Sequence, residues 1–177
     1  NVKRRTKQKI NSSFKDFVFI DSYNSQFSML YNQLSIEKLF HESYKYTNNF
    51  FHELSLQPDI YFYGIQRNNE LVAGSFFRVY SNNLTKTIDY LFSASKINSS
   101  SKWAVKLIWK GIELGVDKNC FVFNFGGGTE DNDSLSNFKL GFGGVVNIFY
   151  RCKVVNRRGD KRQDIMMSNL LNKNPFP

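Results

Sequence analysis

Two apolar runs, IYFYGIQ at 60–66 and LVAGSFFRVY at 71–80, flank the polar tetrad Arg67-Asn68-Asn69-Glu70. No other stretch constrains the fold as much. Runs of aromatic and β-branched residues separated by so short a polar turn pair as an antiparallel hairpin. A third run, TIDYLFSAS at 87–95, follows another Asn-Asn turn at 82–83 and predicts a third strand beside the hairpin.

Upstream, FVFIDS (17–22) reads as a strand through Phe17, Val18, Phe19 and Ile20. Two helices are expected next. The first covers Ser25–Glu42, where Phe27, Leu30, Tyr31 and Leu34 recur at helical spacing. The second runs near Thr47–Leu54, with Asn48 or Asn49 as its cap. Beyond the third meander strand, KWAVKLIWKGIELG sets Ala104, Leu107, Ile108, Gly111 and Ile112 on one helical face. Lys102, Lys106, Lys110 and Glu113 point away, and Gly115 is the expected terminator. CFVFNF (120–125) reads as a buried strand. Asp131 to Asp133 are expected to cap a helix through Leu140, with Leu135, Phe138 and Phe142 on one side, and VVNIFYRCKVV (145–155) forms a last strand. The order β-α-α-β-β-β-α-β-α-β describes one mixed α/β (α+β) sheet in a single domain, residues 13–155. A basic segment, 1–12, precedes it as a short helix or a mobile arm, and a polar tail, 156–177, follows.

A chain of 177 residues, 41% of them hydrophobic, supports one domain with its own core and excludes a disordered protein. The net charge of +9 is concentrated at the ends: Lys3, Arg4, Arg5, Lys7 and Lys9 at one, Arg151, Lys153, Arg157, Arg158, Lys161 and Arg162 at the other. Such charge favours anionic partners: a phosphorylated cofactor, RNA or an anionic membrane face. A solubilising surface is the simpler account of composition alone. Cys120 and Cys152 sit in apolar runs without a CxxC spacing, as buried thiols of a reduced compartment do. His41 and His52, on expected helices without carboxylates nearby in sequence, read as surface or interfacial residues, so no metal site is expected. No run approaches the ~18 apolar residues of a membrane span, and the start does not read as a signal peptide. The expected location is the cytoplasm or the inner membrane face.

The segment FNFGGGTEDNDSLSNFKLGFGG, 123–144, carries the functional signal. It is not a Walker loop or a dinucleotide fingerprint, because Asp131 stands where each motif started at Gly126 needs a glycine. Glu130, Asp131 and Asp133 would also repel a phosphate there. Two readings remain. Gly126, Gly127 and Gly128 allow a sharp positive-φ turn capped by Asp131 or Asp133, or they let a substrate approach the backbone at a strand end. Lys139, beside Phe138, falls at the rim of the core, where a half-buried ammonium can stabilise negative charge.

This segment resembles the strand–GGG–DSL–FK–FG stretch of the FemAB/FemX-like branch of the GNAT superfamily of N-acyltransferases. KRRTKQKI at 3–10 is similar to the basic stretch before a GNAT unit in that branch, YLFSAS at 90–95 matches its strand end, and the element order agrees. The resemblance implies a GNAT-like fold in which an amine attacks an acyl carbonyl held where two parallel strands splay apart. It assigns oxyanion stabilisation to Lys139 and pocket shape to Phe138. Within that frame Tyr90 and Ser93 are candidates to touch the acyl group, core burial being the alternative for each. Ser99, Ser100, Ser101 and Lys102 offer hydroxyls, N–H groups and a cation to a pyrophosphate, or simply cap a helix. Asp133 is a cap before it is a base. The Tyr44-Lys45-Tyr46 segment is a further candidate to line the acceptor cleft.

Two departures from the branch stand out. Its members usually carry two GNAT units, whereas one fits here, and Ile97 to Ser101 replace the usual glycine-rich coenzyme A signature. The leading expectation is an acyltransferase moving an acetyl or aminoacyl group to an amine of a cell-envelope precursor or amino sugar. Acetyl-CoA or aminoacyl-tRNA would be the donor, with no metal, and the acceptor a small or lipid-linked amine. The basic flanks would meet coenzyme A, tRNA or a lipid-linked pyrophosphate. The alternative is a non-catalytic GNAT-shaped binding module of a larger protein. An RNA-binding module ranks last, since no recognition motif accompanies the basic ends.

Overall fold

The computed structural model describes residues 2–12, 16–81, 85–96, 102–126 and 134–146. In chain order these form α1 (Arg4–Asn11), β1 (Val18–Ile20), α2 (Gln26–Glu37), a 3-10 turn (Glu42–Tyr44), α3 (Asn48–Ser55), β2 (Ile60–Arg67), β3 (Glu70–Ser81), β4 (Lys86–Ser95), α4 (Lys102–Asp117), β5 (Val122–Asn124) and α5 (Ser134–Leu140). The five strands lie in sequential order in one mixed sheet: β1 to β4 are antiparallel neighbours, and β5 joins β4 in parallel after the α4 crossover. This is the mixed α/β architecture that the apolar pattern predicts. One compact unit covers Asn1–Gly143. A second, Gly144–Pro177, is described only at residues 144–146, where Val145 and Val146 are exposed. The expected strand at 145–155 and the tail thus lie almost wholly outside the described residues, as do Asn82-Asn83 and Cys152.

The hairpin closes more tightly than its polar tetrad suggests. β2 runs through Arg67 and β3 starts at Glu70, leaving Asn68 and Asn69 at φ 50 and 62. Two left-handed residues make the turn whose twist matches paired strands, and asparagine tolerates that region better than most residues.

Two cores flank the sheet. On one face α2 and α3 bury Phe27, Leu30, Tyr31 and Phe51 against Phe62, Leu71 and Phe76 of the strands. Phe27 is the hub, with ring centroids 5.1 Å from Phe51, 5.5 Å from Phe62 and 5.1 Å from Phe76, all near edge-to-face. Each such contact contributes about 0.5–1.5 kcal/mol beyond area burial. On the other face α4 buries Trp103, Val105, Leu107, Ile108 and Leu114. The stripe is wider than the expected face of Ala104 to Ile112, because α4 meets the sheet on one side and α1 with Phe142 on another. Where α4 crosses β3 a glycine is required: a Cβ on Gly111 would come within 2.2 Å of the Phe77 ring.

Several boundaries differ from the sequence reading. α2 stops at Glu37 rather than Glu42. Leu39 takes the left-handed conformation at φ 51, and the Phe40 and Leu39 amides donate to Ser35 and Ile36 carbonyls, a Schellman closure without glycine. Gly115 does not end α4; it is buried within the helix against Ile88, and Asn119 at φ 56 closes it. The cap of α3 is Thr47, whose hydroxyl accepts from the Phe50 amide at 3.2 Å. Asn48 instead accepts from Ser28 and Tyr23 hydroxyls. β5 is shorter than CFVFNF and its approach is solvated: Phe121 is 84% exposed. Leu135 is also exposed, so only Phe138 and Phe142 of that trio pack together, with centroids 5.6 Å apart.

Candidate functional site

β4 and β5 stay paired for three residue pairs only: Thr87 with Val122, Ile88 with Phe123, Asp89 with Asn124. β4 then continues to Ser95. Among the described residues no strand lies beside Tyr90–Ser95 on the edge away from β3. On the β3 side the register slips, Phe76 facing Phe92 and Phe77 facing Tyr90, which leaves Leu91 as an extra residue. A bulge bends the strand just where pairing with β5 ends. Pairing of the two parallel strands ends there, and among the described residues the β4 backbone groups that face away from β3 have no strand partner.

A line of hydrogen bonds crosses this parting point. The Asn124 side-chain amide donates to Asp89 Oδ1 at 2.9 Å, while its Oδ1 accepts from the Gly126 N–H at 2.9 Å. The Gly126 carbonyl in turn accepts from Lys139 Nζ at 3.2 Å. Gly126 has φ +69, so glycine is needed for the turn itself, and an added Cβ would meet only the Tyr90 carbonyl oxygen, at 3.9 Å. The turn needs this glycine, and no side chain crowds the space where its Cβ would stand.

Asp89 is half-buried on the face opposite Ile88 and Tyr90, as strand alternation requires. Burial pushes its carboxyl above the ordinary aspartate range, and Asn124 and the facing Arg78 pull it part of the way back. Arg78 is itself shared, donating to Asp59 at 2.7 Å. A desolvated carboxylate held in one orientation by an amide is equipped to take a proton. Sequence reasoning missed Asp89 and Asn124; the available signal was an ionisable residue inside the apolar run TIDYLF.

The expected site residues divide by face. Lys139, half-buried on α5, and Gly126 join the line just described. Phe138 packs with Phe142 at the edge of the α4-side core. Tyr90 faces α4, its ring 5.7 Å from Phe77 and its hydroxyl bonded to Ser93 and Ser75. Ser75 also donates to Ser93 at 2.9 Å, so these hydroxyls satisfy one another beneath the strand. Burial raises the Tyr90 phenol and the two serine bonds lower it again in part. Lys102 is exposed at the first residue of α4. Ser99, Ser100, Ser101, Gly127, Gly128, Asp131 and Asp133 lie outside the described residues. On the face that holds Asp89, Tyr46 stacks on Phe50 at 4.4 Å and meets Phe92 at 5.2 Å, an aromatic wall next along β4. Tyr44 stands exposed beside it.

The parting strands fit an acyl-coenzyme A. An extended, amide-bearing chain can add to a strand edge of this kind by backbone hydrogen bonds. Among the described residues no cluster of three metal-ligating side chains occurs, and no helix is long and apolar enough to cross a membrane.

No family model matches the chain, and no curated protein matches it. Solved structures do. An aminoglycoside acetyltransferase, meta-AAC0020 from an uncultured soil metagenomic sample, in complex with sisomicin, aligns at TM-score 0.56 and 15% identity over 78% of this chain and 97% of its own. A GNAT family acetyltransferase of Staphylococcus aureus aligns at 0.56 and 15% over 80% and 100%. A transcriptional regulator from Bacillus halodurans aligns at 0.55 and 12% over 76% and 99%. The chain has the fold of GNAT acetyltransferases.

Proposed function

We propose that the chain is an N-acyltransferase that moves an acetyl group from acetyl-CoA to a primary amine at the parting of β4 and β5. The observation that carries this reading is the bonded line Asp89–Asn124–Gly126–Lys139 across that point. Acetyl-CoA, when bound, supplies an activated acyl thioester. Asp89 takes a proton from the ammonium form of the acceptor, and Asn124 keeps the carboxylate aimed. Lys139 and the unpaired β4 N–H groups present positive charge where negative charge develops. Tyr46, Phe50 and Phe92 wall the acceptor side.

The amino-sugar acceptor expected from the sequence is supported by the sisomicin bound to a protein of the same fold. The FemAB-like motif extends it to amines of cell-envelope precursors and to aminoacyl donors. A second reading, a binding module without catalysis, is favoured by one observation: a neighbour of the same fold is a transcriptional regulator.

Release of coenzyme A thiol from acetyl-CoA, measured with glucosamine, sisomicin and a lipid-linked amine precursor, tests the proposal, with charged tRNA as the alternative donor. At least one amine should drive turnover. Asp89→Asn should lower it about 10²- to 10⁴-fold. Lys139→Ala should raise the barrier by about 2 kcal/mol or more with folding intact. Turnover should also fall as pH drops through an Asp89 pKa above the ordinary aspartate range, because the base form is lost. No turnover with any amine, together with no thermal stabilisation by acetyl-CoA or charged tRNA, would establish the binding module.

A further inference from the structure

The N-terminal helix carries charge that its own stability does not call for. Residues 2–12 hold five cations and no acid; the first carboxylate of the chain is Asp16. The first turn of α1 has no acidic residue, and Lys3 at its N-cap makes no side-chain capping bond. Lys3, Arg4 and Arg5 thus sit at the positive end of the helix dipole, where cations oppose the helix rather than support it. Tertiary contacts hold α1 in place. The Lys3 N–H donates to the Gly141 carbonyl at 2.9 Å, Lys106 Nζ donates to the Ile10 carbonyl at 2.8 Å, and Ile10 packs against the core of Val105, Ile108 and Phe142.

What remains outward is four cations with the neutral Gln8 and Asn11. Lys3, Arg4, Arg5 and Lys7 are exposed. We propose that this face of α1 is a docking surface for the phosphate backbone of single-stranded RNA. A lipid surface fits less well, because interfacial helices bury an exposed apolar face, whereas α1 has a single apolar residue, Ile10, and it packs inward. Duplex DNA also fits less well, because a helix that enters the major groove must project, and one flank of α1 is covered by α4. Single-stranded RNA bends to a charged surface and needs no groove. The inference stands apart from the transfer chemistry.

Anisotropy of a fluorescein-labelled oligouridylate, read across a salt series, tests it. The triple variant Arg4→Gln/Arg5→Gln/Lys7→Gln should weaken binding about tenfold or more at low salt. It should also flatten the log–log salt slope by about 2, since each lost phosphate contact removes about 0.7. The control triple Lys38→Gln/Lys45→Gln/Lys118→Gln removes the same charge elsewhere and should leave the slope unchanged. Equal losses in both triples, no loss in the first, or tighter binding to duplex DNA or to phosphatidylglycerol vesicles than to oligouridylate would overturn the proposal.

Discussion

The centre of the sheet and its β4–β5 seam are built on opposite principles. β2, β3 and β4 pair along most of their lengths, and both faces of β3 are buried, Phe76 under α2 and α3 and Phe77 under α4. At the seam pairing ends after Asp89, a carboxylate is desolvated, a glycine holds a positive φ, and among the described residues the edge of β4 beyond Asp89 has no strand partner. The difference teaches where this fold invests. The aromatic centre gives rigidity, and that rigidity allows two strands to diverge without unravelling. The proposed chemistry falls where the pairing stops.

If that contrast holds, substitutions should separate by region. Phe76 is fully buried and touches Phe27, Phe51 and Phe62. Phe76→Ala should cost about 3–5 kcal/mol in denaturant unfolding. Gly111→Ala should cost about 1–3 kcal/mol despite the better helix propensity of alanine, because the Phe77 ring has nowhere to go. Asp89→Asn should show the smallest effect on stability and the opposite sign. The folded state raises the Asp89 pKa, so above that pKa the charged carboxylate destabilises the fold relative to the unfolded chain. The neutral variant should therefore be at least as stable at neutral pH, and its advantage should vanish as acid protonates Asp89 in the parent. A loss of stability in Asp89→Asn comparable to that in Phe76→Ala would erase the distinction between the regions.

The centre was the legible part. Aromatic and β-branched runs and two asparagine turns announce the meander, and helical spacing of Phe27, Leu30 and Tyr31 announces α2. Helix ends were read less well, because their closures use the wrong residues. Leu39 is left-handed where a glycine would normally signal the stop, while Gly115 serves close packing against Ile88. The seam was legible only in its turn. Gly126 and Lys139 stood out as a motif, but Asp89 and Asn124 are 35 residues apart and become partners only through the parallel crossover. A local pattern cannot encode that.

The most direct test is hydrogen exchange along β4 with and without acetyl-CoA. If the parted strands are where the donor lies, amides of Tyr90–Ser95 that do not bond to β3 should gain protection, while β2 and its side of β3 stay as they were. Unchanged exchange across Tyr90–Ser95 at saturating acetyl-CoA would contradict the account.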